Sequence, residues 1–194
     1  MGLAALIESQ PDMRVVAEAG DGFEAVENYH RHKPDAVLMD LRMPGMGGVE
    51  AILAICKEFP DARIIVLTTY DGDEDIHRAI QSGAKSYLLK DMSRDEIADA
   101  IRIVCKGGEG LVPGVAARLA ARAQREELTA REMEVLHLIV KGCCNKEIAT
   151  AMFVSEDTVK SHLKTLFAKL GVQDRTAAAI SALRHGIVHL EQEG

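Results

Sequence analysis

The segment Ala36-Val37-Leu38-Met39-Asp40-Leu41-Arg42-Met43-Pro44-Gly45 joins a short apolar run to a carboxylate and then to a turn that contains proline and glycine. A short apolar run that ends at turn residues is typical of a buried strand. Similar runs lie at 14–17, 63–67 and 86–89, and stretches with helical spacing of apolar residues lie between runs. This alternation predicts an α/β doubly wound fold, in which helices cover a parallel sheet.

The residues from Leu128 onward show no strand pattern, and helix caps recur instead. Thr129-Ala130-Arg131-Glu132 matches a capping box, and further helices are expected to begin at Asn145, Ser155 and Asp174. The second half is therefore predicted to be an all-α domain of four helices.

A glycine-rich segment at 107–114 separates the two halves, because four glycines and a proline in eight residues interrupt regular structure. Before it, the capping box Ser93-Arg94-Asp95-Glu96 opens a helix that is predicted to run to about Lys106. After it, residues 115–125 are strong helix formers. We therefore predict a domain at 1–106, a linker with a helical second half at 107–127 and a second domain at 128–194.

The composition favours a globular cytoplasmic protein without a membrane segment, with 47% hydrophobic and 27% charged residues. Residues 1–106 hold 12 Lys and Arg against 19 Asp and Glu, whereas the rest of the chain is balanced. Overall charge therefore gives no argument for nucleic-acid binding. The four cysteines have no zinc-site spacing and are expected to be free thiols: Cys56, Cys105, Cys143 and Cys144.

Chemically useful side chains stand at the predicted strand ends. Asp40, Thr68 and Lys90 end three successive strands, and Tyr87 lies three residues before Lys90. Ligands bind at the carboxyl ends of parallel strands in this type of sheet. A carboxylate, a hydroxyl and an ammonium group at one edge could hold a phosphoryl group on the carboxylate.

These residues, with Leu38 to Gly45, Leu67-Thr68 and Gly83 to Lys90, resemble the receiver domain of bacterial response regulators of the NarL/FixJ type. The resemblance implies a flavodoxin-like fold and a sensor histidine kinase as partner. It also implies that Asp40 is the phosphoacceptor, Thr68 the switch hydroxyl, Tyr87 the coupled aromatic residue and Lys90 the phosphate partner.

The chain departs from the receiver pattern at its N-terminus. The family begins with a strand that ends in two adjacent acids, which hold Mg²⁺ beside the phosphoacceptor, whereas Met1 to Glu8 resembles the first helix. Asp12 and Asp21 are not convincing substitutes for the acid pair. We therefore expect a receiver that is truncated at the N-terminus, with a magnesium site of which only Asp40 is left.

The second half resembles a LuxR-type helix-turn-helix at about 143–162, with a second helix suited to the major groove of double-stranded DNA. By this resemblance Lys160, Ser161 and Lys164 read bases, and Asn145, Lys146 and Thr158 contact the DNA backbone. The last helix, about 174–187, is the face on which the family forms homodimers. Its expected contact residues are Ala178, Ile180 and Leu183.

Three other functions were weighed against a DNA-binding response regulator, and we expect no enzymatic activity. A phosphatase of the haloacid-dehalogenase type needs a second aspartate two residues after Asp40, where this chain has Arg42. A small-molecule sensor is disfavoured because the first half matches a receiver. A regulator that works without phosphorylation, through a receiver that lacks the acid pair, remains the main alternative.

Overall fold

The computed structural model describes residues 2–69, 72–108 and 113–189. Contacts divide the chain into two compact units, the first made of Met1–Asp71 and Ile76–Arg118, the second of Gly72–Asp75 and Leu119–Gly194. The division at 118/119 falls inside the predicted linker. The predicted limits 1–106, 107–127 and 128–194 stay predictions, and residues 109–112 and 190–194 lie outside the described residues.

From Val37 to Cys105 strands and helices alternate as predicted. In chain order the elements up to Arg122 are α1 (Leu3–Glu8), α2 (Gly22–His32), β1 (Val37–Met39), α3 (Gly48–Glu58), β2 (Ile64–Thr68), α4 (Asp73–Gln81), β3 (Ser86–Leu89), α5 (Arg94–Cys105) and α6 (Pro113–Arg122). The capping box of Ser93 and Glu96 is formed at the start of α5. Helix α6 covers most of the stretch 115–125 for which a helix was expected.

The three strands of the described residues form one parallel sheet in the order β1-β2-β3. Val37 lies opposite Ile64 across the first pair, and Thr68 lies opposite Leu89 across the second. All five residues of β2 are buried, as expected for the central strand of a covered parallel sheet. One hydrophobic cluster joins β2 and β3 to α1 and α5, through residues that include Leu6, Ile65, Leu88 and Ile101. The predicted parallel α/β fold is confirmed.

The strand predicted at 14–17 is wrong. No strand is assigned there, and Val16 is exposed. The amide of Val15 donates to the carboxylate of Glu8 at 2.9 Å instead of to a strand. A segment forms a strand only where a neighbouring strand pairs with it. Among the described residues β1 pairs with β2 alone, so residues 14–17 have no strand partner there.

Four helices form the rest of the second unit, as predicted: α7 (Ala130–Val140), α8 (Asn145–Met152), α9 (Glu156–Leu170) and α10 (Arg175–Arg184). Their buried residues form one core, which includes Leu136, Ile148, Val159 and Leu166. Side chains cap three of these helices at the predicted residues Thr129, Ser155 and Asp174. For α8 the cap is Cys144 rather than Asn145, and the carboxylate of Glu147 accepts from the Cys144 amide at 2.6 Å.

None of the helices in the described residues has the length and apolar character that crossing a bilayer requires.

Candidate functional sites

Three predicted site residues of the first unit meet at the carboxyl edge of the sheet. Asp40 directly follows β1, Thr68 ends β2, and Lys90 directly follows β3. The amide of Lys90 donates to the carbonyl of Thr68 at 2.9 Å, which fixes the ends of the two strands together. Parallel pairing thus brings together side chains that are 22 to 50 residues apart in the chain.

Asp40 and Lys90 are in direct contact at this edge. The ammonium group of Lys90 donates to Oδ2 of Asp40, and the amide of Arg42 donates to Oδ1 at 3.1 Å. The side chains of Asp40 and Lys90 are 29% and 42% exposed. A carboxylate that is reachable from solvent therefore stands beside a cation that can balance additional negative charge on it.

The side chains of Thr68, at the end of β2, and of Tyr87, within β3, are fully buried. Val66 pairs with Tyr87, and Thr68 pairs with Leu89. Because side chains alternate between the two faces of a strand, Thr68 and Tyr87 project from the same face. The structure thus places the predicted hydroxyl and the predicted aromatic residue on one side of the sheet.

The carboxylates of the described residues do not fit a magnesium site at Asp40. The described residues include no group of three His, Cys, Asp or Glu side chains that could hold a metal ion. Both oxygens of Asp12 accept hydrogen bonds from Arg102 at 2.9 Å, and these bonds lower the pKa of Asp12 to about 2. Asp21 caps α2. Mg²⁺ prefers six oxygen ligands in octahedral geometry, and here Asp40 offers a single carboxylate that already contacts Lys90.

Helices α8 and α9 form the predicted helix, turn and helix of the second unit. The turn begins at Phe153, whose positive φ of 55° ends α8. Ile148 of α8 and Val159 and Leu166 of α9 are buried in the shared core. Four residues of α9 near these buried positions are exposed: Thr158, Lys160, Ser161 and Lys164. The predicted base readers therefore share an outward face.

The two remaining predicted DNA contacts lie at the start of α8. Lys146 is exposed, and Asn145 is half-buried. Oδ1 of Asn145 accepts from the guanidinium of Arg175 at 3.4 Å, and the same guanidinium donates to the carbonyl of Cys143. Arg175, in the first position of α10, thus holds the beginning of α8 in place.

Comparison with known proteins identifies a family for each half of the chain. Residues 1–102 match the family described as response regulator receiver domain, and residues 126–182 match the family described as bacterial regulatory proteins, luxR family. This chain belongs to the LuxR-type response regulators. The regulator is 45% identical to the transcriptional regulatory protein LiaR of Bacillus subtilis, over 97% of this chain and 93% of that protein. It is 40% identical to the response regulator protein VraR of Staphylococcus aureus, over 97% and 92%.

Solved structures of response regulators resemble this one. The regulator ChrA of a heme-sensing two-component system is 37% identical over 95% of this chain and 90% of that chain, with a TM-score of 0.54. An RcsB–DNA complex is 26% identical over 93% and 90%, with a TM-score of 0.67. The regulator is therefore a DNA-binding transcriptional regulator of a two-component system, from a family of transcription regulators whose receiver domains typically bind Mg²⁺.

The regulator's last helix corrects one predicted contact residue. Ala178 is fully buried within the chain, so its side chain is not available to a second copy. Ile180 and Leu183 are 60% and 38% exposed on α10. The proposed dimer face therefore consists of Ile180 and Leu183, without Ala178. A small apolar residue suits either a core or an interface, so its type alone did not decide between them.

Sequence reasoning missed the residues that attach α9 to α7 and that hold the start of α8. Lys169 near the end of α9 donates to Glu132 of α7 at 2.8 Å and to the carbonyl of Glu127 at 3.0 Å. Glu132 had been assigned only to the capping box, and Arg175 had no assigned role. The signal in the sequence was Glu132 itself, an acid on the apolar face of its helix. A buried carboxylate requires a cationic partner.

Proposed function

We propose that a sensor histidine kinase phosphorylates this regulator on Asp40, and that the phosphorylated chain dimerises and binds double-stranded DNA in the cytoplasm. The contact between the partly exposed carboxylate of Asp40 and the ammonium of Lys90 is the observation that carries the proposal. It provides a nucleophilic oxygen within reach of solvent and a cation next to the phosphoryl group that would form there.

The transfer would move a phosphoryl group from a kinase histidine to Oδ1 or Oδ2 of Asp40, breaking a P–N bond and forming a P–O bond. Lys90 then changes from partner of a carboxylate to partner of an acyl phosphate with greater negative charge. Thr68, at the same edge, supplies the hydroxyl that donates to a phosphoryl oxygen. Tyr87 projects from the same face of the sheet as Thr68 and is the aromatic residue coupled to this switch hydroxyl.

In the second unit, Lys160, Ser161 and Lys164 contact base edges, while Asn145, Lys146 and Thr158 contact the DNA backbone. The exposure of the α9 residues and the buried core beneath them support these roles. A single helix in one major groove gives limited affinity, so two copies joined through Ile180 and Leu183 would bind two half-sites. RcsB, a relative of known structure, has been solved as dimers on DNA.

A second candidate function is DNA binding without phosphorylation control. The surroundings of Asp40 support it, because the described residues contain no group of three His, Cys, Asp or Glu that could hold a metal ion. In that case the receiver would act through protein contacts rather than through an acyl phosphate, while the DNA-binding residues would keep the same roles.

Phosphate-affinity electrophoresis with acetyl phosphate distinguishes the two candidates. The chain, its Asp40→Asn variant and a control Asp91→Asn variant are incubated with the reagent, and DNA binding is measured by gel shift before and after. Asp91 is the exposed acid next to Lys90 and should not affect labelling. Labelling that disappears only in Asp40→Asn, with tighter DNA binding by the labelled chain, supports phosphorylation control. DNA binding that is the same with and without the reagent supports the second candidate.

A further inference from the structure

The first turn of α9, the proposed reading helix, carries two carboxylates, Glu156 and Asp157. In the proposed function this end of the helix meets the DNA. DNA phosphates repel carboxylates, so this placement opposes binding to DNA in general. The Asp157 side chain is 89% exposed, and its Oδ1 accepts from the ammonium of Lys160 at 2.8 Å. An acid is therefore held against a residue that is proposed to read bases.

Asp157 lies in the middle of the surface that the base readers form. At about 100° per residue, Asp157, Lys160, Ser161 and Lys164 fall within an arc of about 100° around α9. We call these four residues the reading face. All four are exposed, and the buried Val159 and Leu166 lie outside the arc. Glu156 falls outside the arc as well, about 100° away from Asp157.

A carboxylate next to an ammonium matches the edge of base pairs better than it matches phosphates. In the major groove, guanine presents the acceptors O6 and N7, which suit lysine. Cytosine and adenine present exocyclic amino groups, which suit an acidic side chain. The hydrogen bond from Lys160 lowers the pKa of Asp157, so this carboxylate stays ionised and remains an acceptor at neutral pH.

We propose that Asp157 is a specificity-determining residue for DNA, whose carboxylate accepts a hydrogen bond from an exocyclic amino group of a base while it positions Lys160 on the neighbouring acceptor. The inference rests on the proposed function, in which Lys160 reads bases. Where no amino group lies opposite, the carboxylate meets only negative potential and disfavours the complex. Asp157 thus weakens binding to unrelated DNA and favours one base-pair pattern.

The test starts from duplexes that the full chain selects from a randomised library. Affinity is then measured for a selected duplex and for a duplex with the selected base pairs scrambled, at several salt concentrations. The variants are Asp157→Asn, Lys160→Ala and the control Glu156→Gln. The control removes the same charge from the same helical turn, and with it the same favourable interaction with the helix dipole, but outside the reading face.

We expect Asp157→Asn to lower the ratio of selected to scrambled affinity about tenfold, the size of one lost base contact. The change should combine weaker binding to the selected duplex, which loses the hydrogen bond to the base, with tighter binding to the scrambled duplex, which loses the repulsion by the carboxylate. Glu156→Gln should change the ratio much less. A repeated selection with Asp157→Asn should lose preference at one base-pair position.

Equal effects of Asp157→Asn and Glu156→Gln on the ratio would overturn the inference, because only general charge would then matter. So would an unchanged preference at every position of the repeated selection. A different result would contradict the proposed function itself: Lys160→Ala would then bind the selected duplex as tightly as the unaltered chain does. Asp157 is exposed, so Asp157→Asn should fold, and a circular-dichroism melt checks this.

Discussion

Lys169 of α9 and Glu132 of α7 form an ion pair of 2.8 Å whose side chains are only 17% and 5% exposed. The same carboxylate of Glu132 accepts from the amide of Thr129 at 2.8 Å and so completes the cap of α7. One side chain thus caps the start of α7 and attaches α9 to it. The pair therefore fixes α9 against α7.

Glu132→Gln is expected to destabilise the second unit by about 2 kcal/mol, because it leaves the ammonium of Lys169 largely buried without its counter-charge. Hydrogen exchange of peptides from α7 and α9 in the full chain should show faster exchange. The control is Glu134→Gln, since Glu134 pairs with Arg131 at 2.6 Å on the exposed surface and should contribute well under 1 kcal/mol. Equal protection in the two variants would contradict the role of the buried pair.

The ion pair of Glu132 with Lys169 should also make the free energy of unfolding depend on pH. Burial by itself raises the pKa of Glu132, but hydrogen bonds from Lys169 and Thr129 outweigh burial and hold this pKa below its ordinary value. A carboxylate with a lowered pKa in the folded state stabilises the fold above its unfolded pKa of about 4.3, and this contribution is lost as the pH falls through the folded value. Urea midpoints measured from pH 7 to pH 3 should therefore fall less steeply for Glu132→Gln than for the unaltered chain.

Lys160→Ala and Lys164→Ala test the proposed DNA contacts. Loss of a base contact should cost about 1–3 kcal/mol at the preferred site, whereas loss of a phosphate contact should reduce the salt dependence of binding. Gel shifts at several salt concentrations separate these outcomes. Lys141→Ala serves as the control, because Lys141 caps the end of α7 and lies outside the predicted contacts. Unchanged affinity in both test variants would remove α9 from the interface.

Ile180→Asp and Leu183→Asp should weaken DNA binding without unfolding the chain, because both side chains are exposed and a charge there disfavours only association. Ala178→Asp should instead unfold the second unit, since it buries an unpaired charge. Light scattering and gel shifts provide the measurements, and Gln173→Asp, an exposed position before α10, is the control. Full DNA binding by a monomeric Leu183→Asp chain would refute the dimer face.

Magnesium is expected to accelerate labelling of this chain by acetyl phosphate only slightly. Asp40 offers one carboxylate, and Mg²⁺ gives up its hydration reluctantly for so few ligands. Labelling rates with and without magnesium, together with calorimetric titration, measure the effect. A steep increase of the rate with magnesium would show that the site is complete in solution and would favour phosphorylation control.

Local features were predicted well where the physics is local. The caps at Ser93, Thr129, Ser155 and Asp174 involve residues only three apart, so the sequence pattern contains both partners. The strand predicted at 14–17 failed because strand formation requires a neighbour that no local pattern reveals. The cap of α8 was misplaced by one residue, since Glu147 accepts from the amide of Cys144 and needs no polar side chain there.

By itself the sequence determined the α/β and four-helix halves, the resemblance to a LuxR-type response regulator and the positions of Asp40, Thr68 and Lys90 at strand ends. Tertiary structure decided which of these residues touch. It joined Asp40 to Lys90, 50 residues apart, and Glu132 to Lys169, 37 apart, and it buried Ala178 while exposing Ile180. Such contacts depend on how helices and strands pack, because periodicity fixes the face of an element but not the partner that covers it.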